Sequence, residues 1–127
     1  MDSDIDYCLQ QIRRLDRDRY LTVLAAPAAA AADLAVLYAF NLELALVRDS
    51  VSEPMLGQIR FQWWREAIDG IYAGAPRRHA VVTSLADLLA RRRLGRGHFE
   101  RMIDARECEL IDPPPATLAG RQAYAAD

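Results

Sequence analysis

Asp49 and Glu53 stand four positions apart, the spacing that brings two carboxylates to one face of a continuous helix. Magnesium takes oxygen ligands and is commonly held by one or two carboxylates together with substrate phosphates, so this pair could hold a metal against a diphosphate. Acidic pairs at this spacing also decorate exposed helix ends, where they cap or face solvent. Pro54 follows directly and disfavours helical dihedrals at Glu53, which puts the shared face in question. Two turns earlier, Tyr38, Phe40 and Asn41 could line a cavity beside Asp49, although interhelical packing accounts equally for the two rings. Asn41 is the odder residue, because a buried amide needs hydrogen-bond partners. Trp63-Trp64 is the largest aromatic mass in the chain; on a helix the two indoles point about 100° apart, so at least one should enter the core.

Other charged groups read as surface. Arg65 and Asp69 have the spacing of an i,i+4 pair, and Arg91-Arg92-Arg93 sits where a helix C-terminus favours cations. Asp104 and Glu107, with Arg101 and Arg106 around them, read as a laced exposed face. His79 and His98 flank helix starts without an acidic partner in sequence. No glycine-rich phosphate loop, nucleophile elbow or zinc motif is present.

The elements that must position these groups are helical throughout. Asp4 to Leu24 holds a first segment with Ile5, Leu9 and Ile12 on one face, and Asp16-Arg17-Asp18-Arg19 is a solvated stretch or the start of a second turn. Ala26-Pro27 breaks it, and Ala28 to Asp49 follows as a strong helix rich in Ala and Leu. Ser52 is the expected N-cap of the next helix, with Glu53 and Pro54 in its first turn. Leu56, Ile59, Trp63, Ala67 and Gly70/Ile71 form its expected buried stripe; Trp64, Ile68 and Tyr72 widen that stripe, so the helix should pack on two sides. Gly74 and Pro76 end it. Further helices are expected over His79 to Arg93, over His98 to Leu110 after Gly95 and Gly97, and from Thr117 onward beyond Asp112-Pro113-Pro114-Pro115.

At 127 residues, 52% hydrophobic and 27% charged, the chain is globular in composition and no more than one domain. Its sixteen basic residues are all Arg, and the net charge of −2 supplies no field that would gather nucleic acid or an anionic membrane. Cys8 and Cys108 lie far apart with no metal spacing, as expected of idle thiols in a reducing cytoplasm. Asp2, Asp4 and Asp6 make the N-terminus acidic where a targeting presequence would be basic. Pro27, Asp33, Asn41 and Glu43 interrupt the apolar run from Val23 to Val47 too often for a membrane-spanning helix. The chain is thus expected to lack a transmembrane segment.

Four separated pieces, Ala39-Phe40-Asn41, Arg48-Asp49-Ser50-Val51-Ser52-Glu53, Trp63-Trp64-Arg65-Glu66 and Ile71-Tyr72-Ala73-Gly74, resemble the squalene/phytoene synthase family in order and spacing. Tyr20-Leu21 and Ala26-Pro27 fit the family's opening region, and Phe99-Glu100 with Met102-Ile103-Asp104 fits a later helix. The resemblance implies an all-α fold, an antiparallel helical array in which residues 1–127 form a single partial domain, the N-terminal half of a family domain. Active members join two prenyl diphosphates head to head, using an Asp-Asp-x-x-Asp motif and a second acidic motif to bind magnesium and diphosphate.

Keeping Val51 and Glu53 in step with the family places Arg48, Asp49 and Ser52 at the three aspartate positions; a shift by one residue places Asp49, Ser50 and Glu53 there instead. The first register preserves more neighbours. By this resemblance Asp49 and Glu53 are the residual metal ligands for magnesium, while Tyr20, Tyr38, Asn41 and Arg48 face substrate; no catalytic residue is assigned. The second acidic motif would fall beyond Asp127. An arginine at the first ligand position repels magnesium and attracts phosphate. This form of the motif is most similar to the branch containing mitochondrial complex I assembly factors, which keep the fold with a degraded metal site. The resemblance therefore implies a catalytically impaired protein acting by binding or assembly, or else part of an active prenyl transferase. Its implied partners are a prenyl diphosphate or other isoprenoid and a protein, in a cytoplasmic location or at the membrane periphery.

Overall fold

The computed structural model describes residues 2–111, all of whose regular elements are α-helices. They are α1 (Asp2–Leu15), α2 (Arg17–Ala25), α3 (Ala28–Ser50), α4 (Pro54–Tyr72), α5 (Ala80–Arg91) and α6 (Arg96–Ile111). The helix expected from Thr117 lies outside the described residues.

The helix α3 is the hub and touches each of the other five. Its 23 residues are long and apolar enough to cross a bilayer, but Val36, Ala39, Phe40, Leu44 and Val47 are buried against neighbouring helices. Its apolarity therefore builds the core. Around it, α1 contributes Cys8 and Ile12, α5 contributes Val82, Leu85 and Leu88, and α6 contributes Phe99 and Ile103. The centre is aromatic. Phe40 lies edge-on to Trp64 at 5.5 Å and to Phe99 at 5.7 Å, tying α3 to α4 and α6.

Local capping sets several boundaries differently from the expected ones. Asp16 splits the first segment in two, because its side chain accepts from the Arg19 N–H and caps α2. Glu53, not Ser52, occupies the N-cap position of α4, with Pro54 in the first turn. His79 caps α5 by accepting the Val81 N–H on Nδ1 at 3.1 Å. Gly74, at φ +82°, supplies the left-handed residue that closes α4.

The buried face of α4 also differs from the expected stripe. Gly57, Phe61, Trp64, Ala67 and Ile68 face inward, whereas Leu56 and Ile59 are 46% and 62% exposed. Gly57 explains the rotation: a Cβ there would run into the Leu110 side chain, so the glycine lets α6 lie close against α4. A glycine adds nothing to an apolar count, so the pattern pointed one residue away.

Ion pairs fix the remaining seams. Arg65 reaches across to α6, donating to Asp104 at 2.7 Å and Glu107 at 2.5 Å, and does not pair with Asp69 as its spacing suggested. Asp69 instead pairs with Arg96. Asp33, buried on α3, accepts from Arg91 at 2.9 Å and from Arg92, so two arginines expected in solvent lock the end of α5. Burial alone would raise the Asp33 carboxyl; hydrogen bonds from Arg91 and Arg92 override it and hold it below the ordinary value.

Candidate functional site: a charge-balanced recess at the acidic junction

The junction that carries the acidic motif is broken backbone. α3 ends at Ser50, Val51 is extended at φ −121° and ψ 146°, and Glu53 is extended again before Pro54 starts α4. Asp49 therefore belongs to the last turn of α3 and Glu53 to the approach to α4. The two do not share a helical face.

They line different recesses. Asp49 opens on a cavity of about 190 Å3 between α3 and α6, with Leu44, Ala45 and Phe61 as its apolar wall and Arg106 and Glu109 opposite. Glu53 lines a second one of about 250 Å3 with Val51, Ser52, Pro54 and Leu110. Arg48 lines both recesses.

A second guanidinium enters from α6. Arg106 is half-buried, donates from Nη2 to Asn41 Oδ1 at 3.5 Å and pairs through Nη1 with Glu109 at 3.2 Å. Asn41 thus finds the partner that its position required. The α3–α6 recess holds two arginines, Arg48 and Arg106, against two carboxylates, Asp49 and Glu109. Among the described residues no group of three or more His, Cys, Asp or Glu could hold a metal ion. Asp49 and Glu53 line separate recesses, so these two carboxylates do not converge on one site.

Comparison with known proteins gives this arrangement a family. The profile described as squalene/phytoene synthase matches residues 12–127. The chain belongs to the squalene/phytoene synthase family. The "NADH dehydrogenase (ubiquinone) complex I, assembly factor 6" of Rattus norvegicus is 36% identical to it over 119 residues, which are 94% of this chain and 36% of that protein. The Homo sapiens protein of the same description is 34% identical over the same shares of each chain. The "assembly factor 6 homolog" of Dictyostelium discoideum is 24% identical over 106 residues, 83% of this chain and 30% of the relative. The chain thus spans about a third of the length of the curated relatives it matches. No solved structure matches it.

Within this family scaffold, the residues expected at the site do not all meet. Asn41, Ala45 and Arg48 follow one face of α3, and Asp49 closes its end. Tyr38 lies under the Arg19 guanidinium at 5.2 Å, a cation–π contact with α2. Tyr20 lines a separate recess of about 350 Å3 with Arg13, Arg17, Leu21 and Leu24. Arg106 and Glu109 are the members that sequence reasoning missed. Arg106 was read as part of an exposed laced face and Glu109 did not stand out, because no local signal distinguishes an arginine that reaches Asn41 across 65 positions.

On the opposite side of α3, a cavity of about 330 Å3 opens between Leu46 and Val47 on one wall and Arg60 and Trp63 on the other. Glu43 lies there and accepts from the Tyr7 hydroxyl at 3.2 Å. Burial, and then the charge of Glu43, raise the Tyr7 pKa. Neither Glu43 nor Arg60 stood out as a functional residue in the sequence.

Proposed function

We propose that this chain acts by binding, in the assembly of an NADH dehydrogenase (ubiquinone) complex I, on a family scaffold whose magnesium–diphosphate chemistry is impaired. The observation that carries this reading is the separation of the acidic pair: Asp49 and Glu53 line different recesses, Arg48 borders both, and Arg106 shares the α3–α6 recess with Asp49. A magnesium ion held by two carboxylates needs both within reach of one octahedral site, and here they open on different recesses. The description shared by the relatives in rat and human supports the assembly role.

A second reading is favoured by the survival of Asp49 at the recess mouth beside two arginines that would attract a diphosphate. On it, the chain is part of an active transferase that joins two prenyl diphosphates with magnesium held by Asp49 and Glu53. One experiment separates the two. In a host deleted for its own relative of this chain, complex I content is measured after complementation with the wild type or with Asp49→Ala. Magnesium-dependent consumption of farnesyl diphosphate is assayed in parallel. Equal rescue by both, without consumption, supports assembly by binding. Consumption that Asp49→Ala abolishes, together with lost rescue, would overturn it.

A further inference from the structure

The chain has two histidines, and one of them performs a task that depends on its protonation. His79 stands one residue before α5 with its backbone extended, at φ −154° and ψ 137°. The first N–H groups of a helix have no partner within it. The Nδ1 atom of His79 accepts one of them, from the fully buried Val81, at 3.1 Å. Serine, threonine, asparagine and aspartate ordinarily fill this position, and none of them changes charge near neutral pH. An imidazole does. The neutral ring, with its proton on Nε2, can accept at Nδ1; the imidazolium has two donors and no acceptor. Protonation therefore breaks the cap and sets a positive charge against the positive end of the α5 dipole.

The charged ring has a second place to go. His79 lies against both indoles of α4, 5.5 Å from Trp63 and 5.4 Å from Trp64, and walls the cavity of about 330 Å3 with them. The charged groups lining that cavity are Glu43 from α3 and Arg60 from α4. The first turn of α5, Ala80-Val81-Val82-Thr83, adds none. On the outer side of the indole, Arg77 lies over the Trp63 ring at 5.2 Å and is tied to Glu66 at 2.7 Å. Arg60 disfavours an imidazolium in the cavity. Glu43 favours one: its carboxylate accepts from the Tyr7 hydroxyl of α1 at 3.2 Å and has lone pairs for a further donor.

We propose that His79 is a pH-operated latch on α5: the neutral ring caps the helix and closes the cavity wall, and the protonated ring releases the Val81 N–H and turns to Glu43. The first turn of α5 and the cavity beside Trp63 then open together on acidification. This device goes beyond the assembly reading and does not depend on it.

Nitrogen NMR of the imidazole and hydrogen exchange at Val81 test it on the whole chain. At about pH 8 the ring should be the Nε2–H tautomer, and by about pH 5 the protection of the Val81 N–H, corrected for its intrinsic exchange rate, should fall about fivefold, the factor a helix cap supplies. His79→Asn keeps a capping oxygen that does not titrate, so Val81 should stay protected across the same range. His79→Ala should leave it weakly protected at both ends. Glu43→Gln should move the transition to lower pH, because the imidazolium loses its partner. The Asn variant retains His98 and Glu43, so a pH dependence that survives in it belongs to another group. An Nδ1–H tautomer, constant Val81 protection in the wild type, or an unchanged pH dependence in His79→Asn would overturn the latch. An unmoved transition in Glu43→Gln would overturn the turn toward Glu43.

Discussion

Replacing Phe40 with alanine should be among the most damaging single changes in the described structure. Its ring is fully buried on the hub helix and meets Trp64 and Phe99 edge-on. Deleting a buried phenylalanine costs about 3–5 kcal/mol through lost transfer energy and the cavity left behind. Each edge-on pair accounts for about 0.5–1.5 kcal/mol of that loss. Domains of this kind are stable by about 5–15 kcal/mol, so Phe40→Ala removes a large fraction of the total. Phe40→Leu, which keeps most of the bulk and loses the ring pairs, should cost about 1–2 kcal/mol. Urea unfolding followed by far-ultraviolet circular dichroism measures both, and the slope should stay constant if only stability changes. A cost below about 1.5 kcal/mol for Phe40→Ala, the range of volume-conserving swaps, would refute this account of the core.

Further outcomes follow from the charge and thiol environments. The Asp33 carboxyl titrates below its ordinary value in the folded chain, so the unfolded chain binds its proton first as pH falls. Its stabilisation is therefore complete above the ordinary carboxylate range and is lost as pH falls through the folded value. Asp33→Asn should cost on the order of 1 kcal/mol at neutral pH and flatten the acid limb of a stability–pH curve. Burial pushes the Cys8 thiol up to about 11 while Cys108 is exposed, so a thiol reagent should titrate one cysteine quickly and Cys8 only on unfolding.

Much of the fold was legible because helix signals here are local. Alanine-rich α3, the Ala26-Pro27 break and the Gly74 stop are each written within a few residues, and the structure keeps all three. The expectation that at least one indole of Trp63-Trp64 enters the core also holds, with Trp64 buried. What failed was rotation and long-range pairing. The inward face of α4 turns on Gly57, which only the proximity of Leu110 makes meaningful. Arg65, Asp69, Arg91 and Arg92 all had plausible local explanations, yet each found a partner on a different helix. The site shows the same division. Arg48 and Asp49 could be named from the motif, but Arg106 and Glu109 join them only through the packing of α6 on α3.

The claim at the centre of this account is that the recess at the acidic junction does not hold a magnesium diphosphate. A thermal melt of the chain, with and without magnesium and a non-hydrolysable farnesyl diphosphate analogue, tests it most directly. A ligand bound only by the folded state and present at about one hundred times its Kd adds about 2.7 kcal/mol, a rise on the order of 10 °C in Tm for a chain of this size. The account predicts a cooperative melt with no magnesium-dependent rise. A rise that needs magnesium and disappears in Asp49→Ala would contradict it.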